Sequence, residues 1–256
     1  MVVTDTEKWT FGIKGIDKIF GGDIPPGFTF LVTGQPGSGK EILLKQYAGA
    51  KGKEGSSLYF SATESADEVK SLIQSHGWAK DVEIFDLSYI YYDRVLSQTL
   101  EIARKRETFS AERVTRIASE DLDKSYESEL NFVNIVWSNF TDAKKPCKAV
   151  FDCMEFIADY HSQQEAIHLM QAVKIYTQNT GGLSLFSLTK ELYPTMQLRM
   201  ESIADCVIEL DTFRRLDEVE RIIVVKKIKN LQHKLGINRY RISDDGFEYD
   251  TMKRVV

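Results

Sequence analysis

Eight residues near the start of the chain, Gly34-Gln35-Pro36-Gly37-Ser38-Gly39-Lys40-Glu41, constrain the fold most. They satisfy the spacing GxxxxGK at Gly34, Gly39 and Lys40. The run Phe28-Thr29-Phe30-Leu31-Val32 enters them with the character of a buried strand. A helical pattern leaves them, with Ile42, Leu43, Leu44, Tyr47 and Ala48 as its apolar positions. Glycines let a backbone wrap closely and turn its N–H groups toward phosphate oxygens. The following helix adds its positive N-terminal end, and a lysine placed like Lys40 reaches the β- and γ-phosphates. A glycine-rich turn that holds nothing is the plainer alternative. The strand before and the helix after favour nucleotide binding by Gly34, Gln35, Pro36, Gly37, Ser38, Gly39, Lys40 and Glu41.

Glu41 stands where this spacing ends in Ser or Thr, whose hydroxyl ligates Mg²⁺. A carboxylate is also a hard oxygen ligand, so Glu41 is a candidate metal ligand. It is equally placed to repel phosphate or to pair with Lys40. An exposed glutamate near a helix N-terminus is the structural alternative. Asp152 closes the apolar run Ala149-Val150-Phe151 and is the second candidate metal ligand, against a role as a loop or capping aspartate.

Beyond the loop, strand-like and helix-like stretches alternate. Strands are expected at 57–62, 82–87, 149–151, 183–188 and 206–210, and helices at 67–76 and 163–178. Two β-type runs, 222–225 and 239–242, come last, and Asp244-Asp245-Gly246 turns after the second. This order predicts an α/β fold with a mostly parallel sheet flanked by helices and antiparallel strands at the C-terminal end. Residues 104–146, rich in charge yet carrying Phe132, Val133, Ile135, Val136 and Phe140, are read as surface helices and connections. The 256 residues thus form a single domain. A net charge of −5 argues against nucleic acid as an obligate partner, because phosphate backbones need a basic surface. No apolar run is long enough for a membrane helix, and no signal sequence is visible. Three cysteines without a CxxC pair fit reduced thiols and a cytoplasmic setting.

The segment Gly12 to Gly27, GIKGIDKIFGGDIPPG, resembles the lead-in of the RecA superfamily, with Ile16 in place of a leucine. Among its members the chain looks most like single-domain KaiC-like ATPases of the archaeal type, and the likeness covers most of its length. Ser57–Trp78 is similar to the family's second strand, acidic pair and following helix. Lys148–Cys153 resembles the Walker B strand. Leu183–Glu191, Glu201–Asp211 and Val225–His233 resemble the later core segments in their order. The resemblance implies a RecA-like core that binds ATP or ADP with Mg²⁺ and assembles as a homo-oligomer, in some relatives a hexameric ring. It implies that the first acid after the second strand is the general base. Those two positions read Thr63-Glu64 here, so Glu64 is the one candidate water-positioning acid. It also implies that Lys227, Lys229 and His233 reach the nucleotide of a neighbouring subunit. A solvated basic strand edge is the alternative for that set.

Two departures, Glu41 and Thr63, fall on points where phosphoryl transfer needs a metal and a positioned water. The expectation is an ATP-binding regulatory or signalling protein with weak or absent hydrolysis and a protein partner. A RadA-like accessory role in DNA recombination or repair is an alternative. So is an archaellum-accessory-like scaffold whose docking depends on nucleotide.

Overall fold

The computed structural model describes residues 8–50, 53, 55–78, 81–96, 130–215, 218–230 and 237–250. Elements are numbered in chain order among these. The strands are β1 (Phe28–Gly34), β2 (Ser56–Ser61), β3 (Glu83–Asp86), β4 (Cys147–Asp152), β5 (Leu183–Thr189), β6 (Cys206–Arg215), β7 (Glu218–Ile228), β8 (Ile237–Ser243) and β9 (Gly246–Asp250). The helices are α1 (Lys14–Ile19), α2 (Lys40–Gly49), α3 (Ala66–Ser75), α4 (Leu87–Tyr91), α5 (Phe132–Asp142), α6 (Met154–Tyr160), α7 (Gln163–Thr180) and α8 (Pro194–Ile203).

All nine strands join one sheet in the order β3-β2-β4-β5-β1-β6-β7-β8-β9. The first six positions in that order are parallel to one another. The turn from β6 to β7 reverses the direction, and β7, β8 and β9 continue antiparallel. The expected parallel sheet with an antiparallel end is what the chain builds.

The central strands are apolar throughout because helices cover both faces. On β1, Phe28, Phe30 and Val32 point to a core shared with α1, α2, α3 and the β8–β9 hairpin. Leu31, between them, points to the opposite core, built on α5 to α8. The same period of two puts Val150 of β4 on the first side and Ala149 and Phe151 on the second. On that second face Phe85, Phe60, Phe151 and Phe186 stack across four adjacent strands, with centroids 4.9, 5.1 and 4.6 Å apart. Such cross-strand aromatic pairs fix register as well as burying area.

One expectation is corrected here. Helix α5, within the stretch read as surface, is part of the core: Phe132, Val136 and Phe140 are buried, and Phe140 packs on Phe151 at 5.4 Å. Its spacing of four puts these three on one helix face, and that face outweighs the charged residues around it. Residues 97–129 of that stretch lie outside the described residues.

Candidate nucleotide site

The glycine-rich loop leaves β1 at the C-terminal edge of the parallel strands, where open α/β sheets place their ligands. Gly34 must be a glycine because a Cβ there would lie 2.7 Å from Ser38 Oγ and 3.2 Å from Leu210 Cβ. Gly39, the N-cap of α2, has φ +80°, a left-handed conformation that costs glycine nothing. The loop is tied down from two directions. Lys190 N–H donates to the Gly34 carbonyl at 3.2 Å, and Gln35 Nε2 returns a bond to the Lys190 carbonyl at 3.1 Å. From β8, Tyr240 Oη donates to the Ser38 carbonyl at 2.5 Å, and Ile242 packs against Gly39. Ser38 Oγ is buried and finds no hydrogen-bond partner among the described residues. The first N–H groups of α2 lack intrahelical acceptors by construction, so the loop presents donors and the positive end of a helix.

Three carboxylates converge next to this loop. Glu41 lies in the first turn of α2, Glu64 follows β2, and Asp152 ends β4. All three act on Tyr59, which is fully buried: burial pushes its phenol well above the ordinary tyrosine range, and the charges of Asp152, Glu64 and Glu41 push it further. The phenol therefore stays protonated and donates to Asp152 Oδ2 at 3.1 Å. Asp152 Oδ1 accepts a bond from the Ser187 hydroxyl on β5. Both oxygens of the Asp152 carboxylate thus already receive a neutral donor. Glu155, on the first turn of α6, accepts the Thr189 backbone N–H and orders the end of β5 beside them.

Glu64 is engaged as well, by a residue the motif does not include. Lys45 is fully buried, and its ammonium donates to Glu64 Oε1 at 2.6 Å and Oε2 at 2.5 Å. Lys45 lies one helical turn after Glu41 and shares its face of α2. Glu41 and Lys40 form no ion pair with each other among the described residues, so the pairing considered for them is not the one built.

The basic set on β7 divides. Lys227 Nζ donates to the carbonyls of Glu201 at 3.0 Å and Ser202 at 2.9 Å, at the C-terminal end of α8. That is a cation stabilising a helix C-terminus. Its pKa is lowered, first by burial and then by Lys174. Lys229 is exposed, and its backbone N–H donates to the Asp205 carbonyl at 2.8 Å. His233 lies outside the described residues. Lys226 is taken up by Glu201 at 2.9 Å and Glu209 at 3.3 Å.

A Mg²⁺ ion is the partner such a loop ordinarily implies, and these residues do not fit it. The hydroxyl that would ligate the metal is replaced by Glu41. Asp152 is held by two hydroxyl donors, and Glu64 is held by an ammonium.

Lys45, Tyr59, Ser187, Lys190 and Tyr240 are absent from the sequence-derived site. A lysine inside an apolar helix pattern, four residues after a glutamate, was the one signal available for Lys45. An open groove of about 390 Å³ between α3 and β3, lined by Ile73, Trp78, Val82 and Ile84, lies apart from the loop.

Comparison with known proteins bears on the fold and the family. The DNA repair protein RadA of Haemophilus influenzae is 35% identical over 65 residues, which span 25% of this chain and 14% of that protein. A UPF0273 protein of Methanopyrus kandleri is 33% identical over 73 residues, 28% of this chain and 29% of its own length. The solved structure of a KaiC-like protein from Pyrococcus horikoshii superposes with a TM-score of 0.65 over 96% of this chain and 99% of that one, at 19% identity, and so shares the fold. The model of the KaiC ATPase family matches residues 9–252. With that match running from the lead-in to the last described strand, the chain belongs to the KaiC ATPase family.

Proposed function

We propose that the protein binds ATP or ADP at Gly34–Glu41 and uses the nucleotide as a switch for assembly and partner docking, with little or no hydrolysis. The observation that carries this reading is the Lys45–Glu64 pair. Both oxygens of Glu64, the candidate water-positioning acid of this reading, are already taken by a buried ammonium, so neither is free to orient a water. Thr63, at the position where the family resemblance expects the base, has no useful basicity at neutral pH. Glu41 withholds the hydroxyl ligand. Phosphoryl transfer depends on positioning and charge stabilisation together, so weakening both slows it strongly. Binding draws on other parts of the site: the braced loop, the helix end, Lys40 and the partnerless Ser38 hydroxyl.

In this reading nucleotide bridges copies of the chain into a homo-oligomer, Lys229 being the exposed lysine of the described basic set that faces a neighbour, and a protein partner reads the assembly. The setting is the cytoplasm. Among the described residues no helix is long and apolar enough to cross a membrane. The test is calorimetric titration with ATP and ADP, then a phosphate-release assay on the same sample. The expected result is saturable binding with turnover at or near background. Robust turnover would return the chain to the ordinary ATPases, and salt-sensitive binding of single-stranded DNA would favour the RadA-like alternative.

A further inference from the structure

We propose that Lys45 is a built-in cation that takes the electrostatic place of a divalent ion, so that nucleotide binding here is independent of Mg²⁺. The inference rests on the nucleotide-binding reading above, but one arm of its test does not need it.

A buried ammonium is costly unless it is paired and hydrogen-bonded, so a fully buried lysine beside a phosphate loop needs a counter-charge. Lys45 has one in Glu64, through both carboxylate oxygens at 2.5–2.6 Å. Glu64 is 29% exposed while Lys45 is fully enclosed, so the pair runs from the surface into the protein. Glu41 precedes Lys45 by one turn on the same helix, and Glu64 and Asp152 flank Tyr59 beside it. Without Lys45 this corner would gather three carboxylates around Tyr59, a negative cluster suited to a cation. With Lys45 the corner already contains its positive charge, delivered by the chain. The substitutions then form a set. Glu41 removes the metal's hydroxyl ligand, Lys45 supplies the missing charge, and Glu64 becomes its counter-ion.

The first arm compares ATP affinity of the unaltered protein in EDTA and in Mg²⁺. The expected dissociation constants agree within about twofold, and tightening by Mg²⁺ of about tenfold or more overturns the proposal. The second arm titrates the nucleotide-free protein with Mn²⁺ and follows the free-ion spectrum by electron paramagnetic resonance. The unaltered protein is expected to leave the spectrum that of free Mn²⁺. Lys45→Met is expected to immobilise the ion and to lose about tenfold in ATP affinity in EDTA, recovered by Mg²⁺, as for one lost charge-assisted contact. Immobilised Mn²⁺ in the unaltered protein overturns the proposal, as does a folded Lys45→Met with unchanged ion and nucleotide binding. Should that variant fail to fold, the two measurements on the unaltered protein still decide. Absence of ATP binding in both buffers would defeat the nucleotide reading alone, and the Mn²⁺ arm would still judge Lys45.

Discussion

At the N-terminal end of the parallel strands Lys148, 2% exposed, donates to the Thr10 carbonyl at 2.9 Å and lies 4.0 Å from the centroid of the Tyr47 ring. At the C-terminal end Lys45, fully buried, is clasped by both oxygens of Glu64. The first ammonium closes the lead-in segment onto the sheet through a neutral carbonyl and an aromatic face. The second is matched to a carboxylate and sits among two more. Nearby, Asp205 completes the N-terminal end: it accepts the Thr29 N–H at 3.1 Å and pairs with Lys174 at 2.6 Å. The difference teaches where charge is spent. One end uses buried polar groups to fasten strands and loops to each other. The other gathers three carboxylates and a buried ammonium around Tyr59, after the glycine-rich loop.

Substitutions can break that contrast. Asp205→Ala should cost about 3 kcal/mol in urea denaturation, because it strands Lys174 and frees the Thr29 amide, yet leave ATP affinity unchanged. A large change in affinity from this remote site would erase the distinction between the ends. The triple variant Glu41→Thr, Lys45→Met, Thr63→Glu restores a hydroxyl ligand, removes the ammonium and adds an acid. Its phosphate release in Mg²⁺ should exceed that of the unaltered protein by about a hundredfold, the scale of a regained general base. Lys148→Met should lower stability by about 1–2 kcal/mol through the lost carbonyl bond and ring contact, again without changing nucleotide affinity.

The smallest effect sharpens the charged end. Glu68 closes a capping box with Ser65 at the start of α3, and its pKa is lowered, first by the Ser65 backbone N–H. A lowered folded pKa means that its stabilising contribution is present above the ordinary glutamate range. That contribution disappears as pH falls through the lowered value. The stability difference between the unaltered protein and Glu68→Gln should therefore shrink in acid, and a carboxyl NMR titration should place Glu68 below a free glutamate.

Much of this architecture is legible in the residues. The loop, β1 and α2 declare themselves because glycine spacing and two different apolar periods meet within a few residues. The strand ends at Asp152 and at β5 follow from runs too apolar for a half-exposed sheet. Other parts resist reading for physical reasons. Helix α6 is only two turns long, and α8 alternates polar and apolar residues without a dominant face, so neither has a period to find. Strand β9, Gly246–Asp250, is five residues long and carries Glu248 between Phe247 and Tyr249, too short a pattern to stand out until β8 pairs with it. Lys45 is the clearest case. Helix α2 is buried at Leu43, Leu44, Lys45, Tyr47, Ala48 and Gly49, nearly all the way round. A lysine in such a helix scans as its solvent face, because its partner is distant in sequence and near only in the fold. Glu64 was legible as an acid after a strand, but its occupation by Lys45 was not.

The brace on the phosphate loop has a temporal consequence. Tyr240, whose hydroxyl holds the Ser38 carbonyl, follows Ser38 by 202 residues. During synthesis the loop leaves the ribosome long before the strand that steadies it exists. The nascent chain can display the glycine motif, but it cannot hold the motif in its finished shape until β8 arrives and threads in beside β7. Competence to grip a ligand therefore arrives late, as a signal that the sheet has been completed.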